Sequence, residues 1–172
     1  MSNLRLLADV TGSSVSALDI TDVFSSDFDI YKLEINTHQS ASSQELGLRY
    51  INSSGSVITS SEYDIATQLL TSYQSFVEKR ETNHDSFDFF GLNNTNVHMG
   101  SIHYIFNPFS SSSYTFGLQQ TASFNNGNGG LNYKGINILT ELSSVTGIRL
   151  LGDSGNTLTQ INARIYGLRV DT

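Results

Sequence analysis

Four aspartates fall close together at Asp19, Asp22, Asp27 and Asp29. Clustered carboxylates are what Ca²⁺ requires, since it takes six to eight oxygen ligands. Their intervals match no calcium loop, and acidic capping of the turns around Ser25-Ser26 is the favoured reading. His98 and His103 are five residues apart, an odd separation that puts them on opposite faces of a strand and does not fit a shared metal. His84-Asp85 is a loop pair with no third partner. Glu34, Glu45, Glu62 and Asp64 could supply the two carboxylates of a glycosidase, but nothing in their spacing pairs any two of them. No Gly-x-Ser-x-Gly, phosphate loop or His-Glu-x-x-His motif occurs. The chain is therefore expected not to be an enzyme and to need neither metal nor cofactor.

The other residues with binding chemistry are aromatic. There are ten Phe and eight Tyr but no Trp. Tyr114, Phe116 and Tyr133 flank polar loops, where a ring can stack on a sugar. Asn125, Asn126 and Asn128 sit in an Asn/Gly tip that offers amides to the same ligand. These six are the candidate glycan or partner contacts. The competing reading is that the rings fill a core between two sheets.

Composition narrows the classes further. A formal charge of -7 does not fit a nucleic-acid surface, which needs a basic stripe, nor an anionic membrane. No apolar run approaches the roughly 20 residues of a membrane-spanning helix. Met1 leads into Ser-Asn-Leu-Arg-Leu-Leu-Ala-Asp with no signal-peptide pattern, so cytoplasmic synthesis is expected. There is no Cys, hence no disulfide framework, and stability has to come from packing or association.

The elements that would position such residues are strands. Apolar residues alternate over 28–35, 45–51, 97–106, 114–124, 131–139 and 145–151, separated by Ser, Asn and Gly turns. Asn107-Pro108 closes the strand before it, because Pro cannot donate to a ladder. Thr11 to Ser14 should break the opening segment. The stretch Glu62 to Arg80 fits both a strand period and a helical face, and the β-rich surroundings favour strand. Glu78 to Asp85 should be a solvated loop, and Gly152 to Asn156 a hairpin turn. In the closing stretch Ile161 to Val170 the apolar parity slips after Ile165, which calls for a bulge near Gly167. Eight to ten strands of this kind read as one all-β domain over residues 1–172, an antiparallel β-sandwich or jelly roll.

Three pieces of sequence carry a resemblance. Val23 to Leu33 (Val-Phe-Ser-Ser-Asp-Phe-Asp-Ile-Tyr-Lys-Leu), Ile105 to Phe109 (Ile-Phe-Asn-Pro-Phe) and the closing Ile148 to Arg169 resemble, in order, segments of small jelly-roll virion surface proteins of tailed bacteriophages. Phe28 stands where Tyr is commoner, and the long Glu62 to Arg80 segment departs from the pattern. The resemblance implies a homotrimeric jelly roll on the virion surface, made in the host bacterial cytoplasm and docked on capsid or tail proteins. Because the chain enters the fold almost at Met1, it suits a capsid decoration, cement or knob protein. The alternative is a tail-fibre or tail-tip module that recognises a host surface glycan.

Overall fold

The computed structural model describes residues 3–40, 44–88, 92–93, 99–125, 129–152 and 155–169. The described chain contains twelve strands: β1 (Leu4–Val15), β2 (Ala17–Ile20), β3 (Ile30–Ser40), β4 (Gln44–Asn52), β5 (Tyr63–Thr71), β6 (Val77–His84), β7 (Leu92–Asn93), β8 (Gly100–Phe106), β9 (Thr115–Asn125), β10 (Gly129–Leu139), β11 (Val145–Gly152) and β12 (Leu158–Leu168). An eight-stranded sheet runs β1-β12-β3-β8-β9-β10-β5-β6, and a four-stranded sheet runs β2-β11-β4-β7. Every pairing is antiparallel. The result is an antiparallel β-sandwich, in agreement with the all-β expectation.

One core fills the space between the sheets. Tyr31, Leu33, Ile35, Ile161 and Ile165 come from the long sheet, and Leu46, Leu48, Tyr50, Ile148 and Leu150 from the short one. Each set has the two-residue spacing of a strand with one buried face. Tyr50, Tyr63 and Phe87 form an aromatic cluster, with the Tyr63 and Phe87 ring centres 4.7 Å apart and nearly perpendicular. The buried Tyr63 hydroxyl accepts the Tyr50 amide at 3.0 Å and donates to the Ile58 carbonyl at 2.9 Å. Tyr31 does the same for the loop before β3, accepting from the Ser25 amide and donating to the Ser25 carbonyl.

Several expectations change. The residues Thr11 to Ser14 do not break the first segment; β1 runs through them to Val15. The stretch from Glu62 is strand as expected, but the charged run Glu78 to Asp85, expected to be a loop, belongs largely to the strand β6. β6 lies at the margin of the long sheet, where charged side chains discourage pairing with another chain. Gly152 to Asn156 does not turn a hairpin. β11 pairs with β2 and β4, whereas β12 pairs with β1 and β3, so this connection crosses between sheets.

Gly167 carries no bulge. It is in register with Arg5 on one side and Tyr31 on the other; the extra residues lie elsewhere, Leu7 in β1, Asn36 in β3 and Thr159 near the start of β12. The apparent slip arises because Leu168 belongs to the outer face while Ile161, Ala163 and Ile165 face the core. A Cβ on Gly167 would sit 2.6 Å from the Phe28 ring, so glycine is there to admit that ring.

Candidate functional site: the outer face of the long sheet

Strands β8, β9 and β10 bury polar residues while exposing large apolar ones, most completely in β9. Their inward residues include Ser101, His103, Thr115, Gln119, Thr121 and Asn137, all buried. Their outward residues include Ile102, Tyr104, Phe116, Leu118, Phe124 and Ile136, all exposed. Ile105 of β8 and Leu131, Tyr133 and Leu139 of β10 also face the core, so both faces of these two strands carry apolar residues, whereas the inward face of β9 is polar.

The inward polar layer is accommodated by local fit. Ser101 and Thr121 hydroxyls meet at 2.9 Å, and the Asn137 amide lies 3.0 Å from His103 Nε2. Burial holds the His103 imidazole down at a pKa of about 3, so it is neutral and can accept from Asn137. Gly117 lies opposite Asn137 in register, and a Cβ there would overlap the Asn137 side chain. Gly135 likewise leaves no room for a Cβ against Thr67 and the Ala66 carbonyl.

The outward residues line up in rows, because directly paired residues of neighbouring strands share a face. One row runs Leu4, Leu168, Ile30, Phe106, Phe116 and Ile138 across β1, β12, β3, β8, β9 and β10. The adjacent row runs Leu6, Tyr166, Lys32, Tyr104, Leu118 and Ile136, then Ala66 of β5. Leu118 is 48% exposed and Ile136 47%. The third row mixes both signs of charge, from Asp9, Arg164 and Glu34 through Ile102 and Gln120 to Lys134, with Gln68 and Glu78 beyond. Arg164 bonds Asp9 at 2.9 Å and Lys32 bonds Glu34 at 2.5 Å. An apolar band is thus bordered by a charged rim, the anatomy of a protein–protein contact.

Shallow depressions mark this face. One of about 350 Å³ lies among Ile102, Tyr104, Leu118, Gln120 and Lys134. Another, of about 530 Å³, is bounded by Glu34, Asn36, Ile102 and Gln120. They are open troughs on a sheet, unlike the enclosed clefts that take small ligands.

The six candidate contacts do not form one site. Tyr114 and Phe116 are exposed, and Phe116 belongs to the apolar band. Tyr133 is excluded as a contact: it is 1% exposed on the inner face, with its hydroxyl 3.3 Å from Glu45 Oε1. Its odd separation from Ile136 and Ile138 sets it on the opposite side of β10. Asn125 pairs with Gly129 at the end of β9, while Asn126 and Asn128 lie outside the described residues. His98 lies outside them too.

The carboxylates are dispersed. Asp19 takes both guanidinium contacts of Arg149, at 2.6 and 2.7 Å. Glu45 is raised above the usual carboxylate range by burial, opposed by Lys79 at 3.3 Å. Glu62 accepts the Thr140 hydroxyl, and Asp64 accepts the Asn83 amide. Among the described residues no three His, Asp or Glu side chains converge on a point that could hold a metal ion.

A second feature lies at one end of the sandwich. Ser25, Ser26, Phe28 and Asp29 face Asn107, Pro108, Phe109 and Ser110 across a depression of about 300 Å³. Phe109 is exposed there, and Asn107 holds a left-handed backbone at φ 57°. The Asn107-Pro108 stop is legible in the sequence, whereas this pairing of loops depends on β3 and β8 being neighbours.

Compared with known proteins, the chain matches no family model and no curated protein.

Proposed function

We propose that this chain is a structural protein of a bacteriophage virion, a capsid decoration, cement or knob protein that docks on the particle surface as a homotrimer. The observation that carries the reading is the outward apolar face of β8, β9 and β10. Contiguous exposed apolar area beyond a few hundred Å² marks a surface meant to be covered. The strand order supports the jelly-roll part of the reading. β1-β12-β3-β8 opposes β2-β11-β4-β7, an arrangement that two interlocked Greek keys produce. On this view β9, β10, β5 and β6 extend one sheet and widen the contact face. The resemblance of Val23 to Leu33, Ile105 to Phe109 and Ile148 to Arg169 supplies the virion assignment. Such a protein works by burying surface between neighbouring subunits; it needs no catalytic group or cofactor.

Copy number on purified particles tests this. Decoration requires the chain in numbers that follow capsid symmetry. A handful of copies confined to the tail would overturn it.

The end depression favours a second reading, a tail-tip module that binds a host surface glycan. Phe109 offers a ring face, and Asp29, Asn107 and Ser110 offer polar groups around it. Phe109→Ala, or deletion of Asn125 to Gly130, should then abolish adsorption with the fold intact. Unchanged adsorption in both would reject this reading.

A further inference from the structure

We infer that the apolar band on the outer face of the long sheet is the seam through which copies of this chain associate, a second copy being its occupant. The inference rests on reading the chain as a subunit of an assembly and adds where the contact lies.

Three observations single out a second copy. The first is size. Strands lie about 4.8 Å apart and alternate residues about 6.6 Å apart, so three rows across seven strands cover roughly 600 Å². A stable standard interface needs about 800 Å² per partner, so the band and its margins are of the right order. The second is charge. The chain carries -7 overall. The outward paired positions carry Lys32, Arg80, Lys134 and Arg164 against Asp9, Glu34, Asp64 and Glu78, which balance. Two acidic copies repel one another elsewhere but can approach across this neutral face. The third is likeness of the two halves. Leu4, Leu6, Leu168 and Ile30 on the β1 side match Phe116, Leu118, Ile136 and Ile138 on the β9–β10 side. Either half of one copy therefore offers what either half of another requires.

The exposed apolar residues of β8, β9 and β10 belong with these, the inward face of β9 being polar. A monomer gains nothing from placing Ile102, Leu118 and Ile136 in water while Gln119 and Asn137 are buried. An assembly that covers the outer face gains all of that area.

Light scattering on the purified full chain, wild type and variants, provides the test. The wild type at about 100 µM should have a mass that is a multiple of 18.9 kDa, since a Kd of ~1 µM leaves little monomer there. Leu118→Glu with Ile136→Glu should bring it to 18.9 kDa with an unchanged far-UV circular dichroism spectrum. That is a loss of at least about 100-fold in association, because carboxylates would be buried unpaired. The milder Ile136→Gln should weaken association in the same direction and guards against misfolding of the double variant. Leu142→Glu is the control: Leu142 is 59% exposed but lies off the sheet, so its mass should stay at the wild-type value. A wild-type monomer at that concentration overturns the seam, and copy number on particles still judges the virion reading by itself. An oligomer unaffected by the double variant and by Ile136→Gln also overturns the seam, while leaving self-association standing.

Discussion

His103 Nε2 on β8 and the Asn137 side-chain amide on β10 lie 3.0 Å apart across the intervening strand β9, both shielded from solvent. Burial keeps the imidazole neutral down to about pH 3. An unfolded histidine titrates near 6.5. Between those values the unfolded chain binds the extra proton, so acid favours unfolding.

The first expectation follows from that sign. The contribution of His103 is fully present above about pH 6.5 and is lost progressively as pH falls toward 3, at up to about 1.4 kcal/mol per pH unit. Urea denaturation at pH 7, 5 and 4 should show the decline, and His103→Gln should flatten part of it. A variant with the wild-type pH profile would show that the group does not titrate as its burial requires.

Tyr63 offers a separate check on the core. Its hydroxyl is the partner of the buried Tyr50 amide and the donor to Ile58. Tyr63→Phe keeps the ring stack but removes both bonds. Leaving that buried amide without its partner should cost about 1–3 kcal/mol in chemical denaturation. A loss below a few tenths would mean the amide finds water instead.

Gly167→Ala places a methyl 2.6 Å from the Phe28 ring. Overpacking of this kind should cost about 1–3 kcal/mol. The cost should shrink when Phe28→Ala is present, and a double-mutant cycle measures that coupling. Strict additivity would contradict the steric account.

These residues also show what the sequence could convey. Strand periodicity was legible at Tyr31 to Ile35 and Leu46 to Tyr50, where only one parity is apolar. It was not decisive in β8, because Ile102, Tyr104 and Phe106 oppose His103 and Ile105. Periodicity separates two faces; which of them is inside depends on what the other sheet covers. The same limit misplaced Tyr133, whose burial depends on β10 lying between β5 and β9. The charged run at Glu78 to Asp85 reads as loop by composition and becomes strand because β5 supplies its hydrogen-bonding partners. Gly167 looked like a bulge since its constraint, the Phe28 ring, comes from far away in the chain. The apolar band itself had no linear signature: its rows alternate between strands that are distant in sequence.

Glu45 gives a further expectation. Burial raises its pKa, and Lys79 and Tyr133 only partly offset this. Removing one member of an ion pair is costly where the other charge is left buried, and Lys79 is 37% exposed. Glu45→Gln should therefore change stability at pH 7 by less than about 1 kcal/mol, the Lys79 ammonium remaining in contact with solvent. A loss of several kcal/mol would mean that the Lys79–Glu45 pair holds β4 to β6.

A cryo-EM reconstruction of particles that carry this chain addresses the assembly account most directly. The expected result is the sandwich at repeated, symmetry-related positions, with Leu118 and Ile136 covered by a neighbouring copy. A sandwich standing with that sheet face open to solvent would contradict it.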